Sequence, residues 1–323
     1  MSKYSICIIG VYFGNLPKYF NLWLKSCEHN PSIDFLVITD NDLNNLPKNV
    51  RSVKMDLCEM KERADRAVGF EVVLDKPYKC CDYKIIYGLI FKDYLENYDF
   101  WGHCDLDLIF GDIRHFATDS VLEKNDKIFD LGHLSLYRNT DEVNNRYKCQ
   151  GTNCPDYKTA FTTSFITAID EHTGIYQIYK KNNFPMYDER VFADIYSVFS
   201  HFSAVGLSEG IKTQAFYWEN GKVWLVYKDK NDIESKEVAY IHFQKRKFHS
   251  TLPDDVSSFY ISSKGFVEKS SEGVPVVSEI NAINPYRPVL HVFETFKKFF
   301  MFIKKRISQK RIFKSSFTRR KYE

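Results

Sequence analysis

The opening βαβ pattern constrains this chain more than any other feature. Tyr4 to Val11 is an apolar run that ends in the glycine loop Gly10-Val11-Tyr12-Phe13-Gly14-Asn15. Pro17 is placed to open a helix, and Tyr19, Phe20, Trp23, Leu24 and Cys27 recur at helical spacing through Glu28. Asn30-Pro31 breaks that helix, and Ile33 to Thr39 reads as a second strand with Asp40 at its carboxyl end. Strand, glycine loop, helix and strand in this order open a doubly wound sheet, so the expected class is α/β with a Rossmann-type, nucleotide-binding sheet flanked by helices. Ligands of such sheets gather at the carboxyl ends of the strands, where Tyr12, Phe13 and Asp40 stand.

Further along, Val50 to Met55 predicts a third strand and Cys58 to Val68 a polar helix. A helix carrying Leu89, Ile90, Phe91, Tyr94 and Leu95 leads into Phe100-Trp101-Gly102-His103-Cys104-Asp105-Leu106-Asp107, an apolar strand that ends in carboxylates. Ile128 to Tyr137 predicts another strand, Phe165 to Lys181 a helix, and Tyr187-Asp188-Glu189-Arg190 the start of a further helix. Phe216 to Tyr227 carries a hairpin signal around Glu219-Asn220-Gly221-Lys222. Val238 to Phe243 is a strand running into His242-Phe243-Gln244-Lys245-Arg246, and the Ser- and Gly-rich stretch after it reads as peripheral loop or short strands.

Asp105-x-Asp107 is the sharpest chemical signal. Alternation along a strand puts both carboxylates on one side, about 6–7 Å apart, where they can share a hard divalent cation and its phosphates. His242 would complete a Mn²⁺ or Mg²⁺ site, and the basic run that follows, Lys245 and Arg246 included, suits a diphosphate. Asp188 or Glu189 would face an acceptor, as general base or as positioning group. Two other classes use the same residues: a phosphohydrolase with Asp105 as nucleophile, and a tethered scaffold without turnover. The first normally has its motif on the first strand, unlike this one.

The path Ile8-Ile9-Gly10-Val11-Tyr12-Phe13-Gly14, the blocks Lys76-Pro77-Tyr78-Lys79 and Asp82-Tyr83-Lys84, the Asp105-x-Asp107 segment, Gly132-His133, Asp188-Glu189 and His242-Phe243-Gln244-Lys245-Arg246 resemble, in that order, bacterial GT-A-type glycosyltransferases of capsule and lipopolysaccharide clusters. The resemblance covers roughly residues 4 to 248. It implies a GT-A-like fold and a metal-dependent hexosyltransferase that moves a sugar from a nucleotide donor, a UDP-sugar, to a surface-polysaccharide or lipid-linked acceptor. It further implies that Asp105, Asp107 and His242 hold the metal. Tyr12, Phe13, Asp40, Asp82, Lys84, Asp105, Lys245 and Arg246 would then hold the donor. The chain departs from the glycogenin-like form of this family in lacking Gly and Pro-Trp around Lys245.

Charge divides the chain in two. From Thr295 to Glu323 there are 11 basic residues and one acid, or +10; the remainder has 34 basic and 41 acidic residues, or −7. An acidic body excludes a uniformly basic nucleic-acid binder. Val289, Val292, Phe293, Phe296, Phe299, Phe300, Ile303 and Ile307 recur at helical spacing among lysines, the pattern of an interfacial helix on anionic lipid. With no signal peptide, no spanning run and no paired Cys-x-x-Cys among eight cysteines, the expectation is a reduced, cytoplasmic protein on the inner membrane face. The expected units are a catalytic domain over 1–250 (donor half to about 115, acceptor half from 116), a peripheral segment over 251–288 and the tail over 289–323.

Overall fold

The computed structural model describes residues 2–244, 246, 248–301 and 303. Lys245 and the tail beyond 303 lie outside the described residues. In chain order the strands are β1 (Ile6–Tyr12), β2 (Asp34–Thr39), β3 (Val50–Lys54), β4 (Phe100–Cys104), β5 (Leu108–Phe110), β6 (Lys127–Ile128), β7 (Leu134–Arg138) and β8 (Met186–Tyr187). They continue as β9 (Ala193–Asp194), β10 (Gln214–Glu219), β11 (Lys222–Asp229), β12 (Asp232–Val238), β13 (Tyr240–His242), β14 (Ser258–Ser262) and β15 (Gly265–Glu268).

The main sheet has the order β3-β2-β1-β4-β7-β6-β8. β3, β2, β1 and β4 are mutually parallel, whereas β7 runs against both β4 and β6. The α/β class and the mixed sheet flanked by helices are therefore present as the sequence predicts. Helix α1 (Phe20–Glu28) packs Trp23 and Cys27 beneath β1 and β2, where Trp23 meets Phe35 and Phe110 edge-on or tilted. Each such fully buried ring stabilises the fold by roughly 1.5–3 kcal/mol. Helix α2 (Leu57–Val68) starts on Asp56, whose side chain accepts from Glu59 N, and stops at Gly69 in the left-handed conformation, φ 80°. Its buried Met60 and Ala64 cover the opposite face of the sheet.

A second, antiparallel sheet β12-β11-β10-β14-β15 packs against the first through a smaller one, β5-β13-β9. The β10–β11 hairpin turns on Asn220 and Gly221, both with positive φ, 47° and 85°, as the Asn-Gly signal requires. β14 pairs with β10, so residues on both sides of position 250 share one sheet. The stretch 251–288 is thus part of the packed body, because Phe259, Ile261 and Phe266 supply core to it.

Other expectations need correction. Ile128 to Tyr137 is not one strand: Phe129 takes φ 64°, and the chain loops out before β7. The helix expected over 165–181 is confined to Ile175–Lys181, because Thr167 and Ala168 turn their amides onto Asp82 instead. No helix starts at Tyr187; Met186–Tyr187 is β8, paired in parallel with β6. The helix expected around Leu89 is two single turns, Tyr87–Ile90 and Lys92–Leu95, broken at Phe91.

Candidate active site

The site forms where the main and small sheets meet. β4 ends at Cys104, and the next residues bend instead of continuing as strand, so Asp105 closes one sheet while Asp107 opens the other at β5. In the small sheet β13 runs antiparallel to β5 and parallel to β9, with His242 opposite Leu108 on one side and Asp194 on the other. Phe243 N donates to Asp107 O at 3.1 Å and fixes this register beside the carboxylates. Across this bend, ligand atoms of Asp105, Asp107 and His242 all lie within 4.8 Å of one another. Two carboxylates and an imidazole at that separation fit a divalent cation of the Mn²⁺ type, which would anchor and neutralise a diphosphate.

The imidazole is held from both sides. Its Nδ1 is 2.8 Å from Asp194 Oδ1, which also accepts from Gln244 Nε2 at 2.9 Å, and its Nε2 is 3.4 Å from Asp107 Oδ1. A carboxylate behind one ring nitrogen fixes the tautomer that offers the other to a metal. Asp194 was not foreseen from the sequence. It stands in an apolar run, and only the pairing of β9 with β13 gives it a role. His133 stacks on His242 with centroids 4.3 Å apart, and neither of its ring nitrogens has a partner among the described residues. Burial, aided by the neighbouring His242, holds His133 well below the usual imidazole range, so it is a neutral plate under the site.

Burial pulls the His242 imidazole down, but Asp107 and Asp194 outweigh it and push it up to about 10. Binding a cation must then release that proton. Mn²⁺ affinity is expected to rise with pH by up to about tenfold per unit between neutrality and pH 10, with about one proton released. Calorimetry in two buffers of different ionisation heat measures both; flat affinity from pH 6.5 to 8.5 would exclude His242 as a ligand. The metal-free fold should lose stability over the same rise, from the ordinary imidazole range up to about 10, because the folded chain then binds a proton that the unfolded chain does not.

Lys84 ties the carboxylates to the rest of the cleft. Its ammonium sits 2.6 Å from Asp105 Oδ1 and 3.4 Å from Asp170 Oδ2, and donates to Gly132 O at 2.9 Å. Burial alone would depress it; Asp105 and Asp170 outweigh burial and keep it charged. Asp170 is pushed upward by burial, with Lys84 opposing. Gly132 is required here by close approach, since a Cβ would lie 2.5 Å from Asp170 Oδ2. Three non-glycine residues with positive φ, Phe129, Ala168 and Gln244, flank this arrangement, strain that costs about 1–3 kcal/mol each and collects at functional sites.

The remaining expected site residues divide. Tyr12 is half-buried at the end of β1, and its phenol is raised by burial and by Asp107, so it borders the metal set. Asp40 is exposed and accepts from Gly14 N at 2.9 Å, which closes the glycine loop. Phe13, by contrast, turns into the core on the α2 face of the sheet. Asp82 is fully buried, paired with Lys79 at 2.7 Å and capped by the amides of Thr167 and Ala168, so it supports the cleft floor and offers no surface to a ligand. Arg246 spends its guanidinium on the carbonyls of Phe243, Tyr196 and Phe199 and clamps two loops together, leaving no fork for a phosphate. Asp188 pairs with Lys180 at 2.8 Å, and Glu189 accepts from Tyr187 at 3.1 Å.

The sequence profile of a family of unknown function (DUF6625) matches residues 8–270. No curated protein matches the chain. Among solved structures, the galactosyltransferase LgtC in complex with donor and acceptor sugar analogs is 11% identical, with a TM-score of 0.35, over 58% of this chain and 75% of its own. Mouse xyloside xylosyltransferase 1, in its apo form, is 9% identical, with a TM-score of 0.37, over 59% of this chain and 87% of its own.

Proposed function

We propose that this chain, which belongs to the DUF6625 family, is a metal-dependent glycosyltransferase that moves a sugar from a nucleotide-diphosphate donor to a glycan acceptor. The observation that carries the reading is the convergence of Asp105, Asp107 and His242 within 4.8 Å at the carboxyl end of β4, the strand next to the βαβ unit. This is the crevice in which doubly wound sheets bind nucleotides. The nucleotide would lie over the ends of β1 and β2 against Tyr12, with its diphosphate at the carboxylate pair. A cation held by Asp105, Asp107 and His242 would supply charge for the departing diphosphate. Lys84, kept charged between Asp105 and Asp170, holds Asp105 in place and adds positive potential at the same spot. A thermal-shift screen of nucleotide-diphosphate sugars with and without Mn²⁺ tests this, because a ligand of the native state raises apparent stability. One nucleotide class should stabilise the protein only with the metal; uniform absence of shifts counts against the reading.

The acceptor is proposed to be surface polysaccharide or a lipid-linked precursor, met at the inner face of the cell membrane. The helix over 288–301 supports this because it sits on the body the wrong way round for a soluble protein. Glu294 accepts from Ser200 N at 2.9 Å, His291 packs on Phe199 and Lys298 lies over the Tyr196 ring, so the polar face is the docked one. Opposite them Val289, Phe293, Phe296 and Phe300 are 62–72% exposed. A contiguous aromatic stripe left bare marks an interaction surface. The +10 charge around and beyond it selects anionic lipid as the partner, at about 1 kcal/mol per nearby basic residue. No helix among the described residues is long and apolar enough to cross a membrane, so the association would be peripheral. The full chain should co-sediment with vesicles containing phosphatidylglycerol, less so at high salt. Phe293→Ser with Phe296→Ser should lower the bound fraction at least about tenfold, and equal sedimentation of both proteins would sink the proposal.

A further inference from the structure

We infer that His172, backed by Asp130, takes the proton from the acceptor hydroxyl, an assignment that rests on the sugar-transfer reading. Two segments carry it. The loop from Asp130 to His133 leaves β6 and returns beside the metal set: Asp105 N donates to His133 O at 2.9 Å, and Gly132 O receives Lys84. The segment 168–172 is joined to the same residues, with Ala168 N on Asp82 and Asp170 on Lys84. His172 follows Asp170 by two residues, at most about 7 Å of chain, which keeps it within short reach of the Lys84–Asp105 pair.

Its ring is built for proton transfer. Nε2 lies 2.6 Å from Asp130 Oδ2, which Arg190 also approaches at 3.4 Å, and the Asp130 carboxylate is nearly fully buried while the His172 side chain is 43% exposed. Burial would raise the Asp130 carboxyl, but His172 and Arg190 outweigh it and hold it ionised below its usual range. An ionised Asp130 accepts Nε2–H and leaves Nδ1 with the free lone pair; Nδ1 has no hydrogen-bond partner among the described residues. Tyr176 stacks on the ring at 4.3 Å and fixes its plane. The carboxylates expected in this role, Asp188 and Glu189, are already engaged by Lys180 and Tyr187.

In the step itself the acceptor oxygen bonds to the anomeric carbon while its proton passes to Nδ1. The bond from that carbon to the diphosphate oxygen breaks, and its electron pair leaves with the diphosphate. The imidazolium, stabilised by Asp130, later returns the proton to solvent. The competing arrangement has a diphosphate oxygen take the proton, with His172 idle.

The test uses the full-length protein with Mn²⁺ and whichever donor the screen identifies, and compares water with azide as acceptor. Water must lose a proton to a base, whereas azide has none to lose. His172→Ala is expected to slow donor hydrolysis about 10²–10⁴-fold while azide restores turnover and yields the glycosyl azide. His172→Gln should behave likewise, and both variants should keep the donor-induced thermal shift. Hydrolysis unchanged in His172→Ala overturns the assignment, as does a loss that azide does not restore in a variant that still binds donor. Absence of any donor binding or turnover by the wild type overturns the sugar-transfer reading itself.

Discussion

Asp107→Asn is expected to lower sugar transfer about 10²–10³-fold, the scale on which a group that stabilises a developing oxyanion acts. The substitution keeps the volume but removes one of two anionic ligands and the negative charge beside His242 Nε2. His242 should then titrate lower in the metal-free protein, since the carboxylate that helps to hold its proton is gone. Mn²⁺ binding followed by electron paramagnetic resonance should weaken in parallel with turnover. Activity within about tenfold of wild type, outside the range expected of a metal ligand, would remove Asp107 from the site.

Lys84→Met carries the second large effect, on stability as well as on rate. The ammonium is buried between Asp105, Asp170 and a carbonyl, and removing one partner of a buried ion pair costs about 3–5 kcal/mol because the other charge is left uncompensated. The urea midpoint should fall with an unchanged slope. Asp170→Asn added to Lys84→Met should recover only the part of the loss due to a stranded Asp170 charge, a part that burial keeps small by pushing Asp170 upward. A single variant as stable as wild type would mean that Asp170 is already neutral in the native protein.

The legible parts of this fold are those whose signals are local. β1, α1 and β2 follow from periodicity and from Pro17 and Asn30-Pro31, and the β10–β11 hairpin follows from Asn220-Gly221. The failures share one cause, which is that distant segments decide local structure. Residues 165–174 are read as the start of the following helix, yet Asp82 draws the amides of Thr167 and Ala168 out of any helix, and Ile166, Thr167, Ile169, Thr173 and Gly174 are weak helix formers. Asp188 and Glu189 resemble a helix start, but β6 recruits Tyr187 into the sheet. At the site, Asp105, Asp107 and His242 were readable as residue types, whereas their spacing was not. A bend between two sheets replaces the strand on which the alternation argument relied. Asp194, Asp130 and His172 carry no motif; the density of titratable groups in Asp170-Glu171-His172 is the one signal that could have drawn attention to them. Arg246 shows the reverse error, since a cation after a candidate metal-ligating histidine suits phosphate by composition while its hydrogen bonds commit it to the 196–199 loop.

Nucleotide diphosphate release from a panel of nucleotide sugars, followed with Mn²⁺ or with a chelator, tests metal-dependent sugar transfer directly. Release from one nucleotide class with the metal is expected, with its loss on chelation and its loss in Asp107→Asn and His242→Ala proteins that remain folded. Release that ignores chelation and both substitutions, or phosphate liberated from simple phosphoesters in place of sugar transfer, would contradict it.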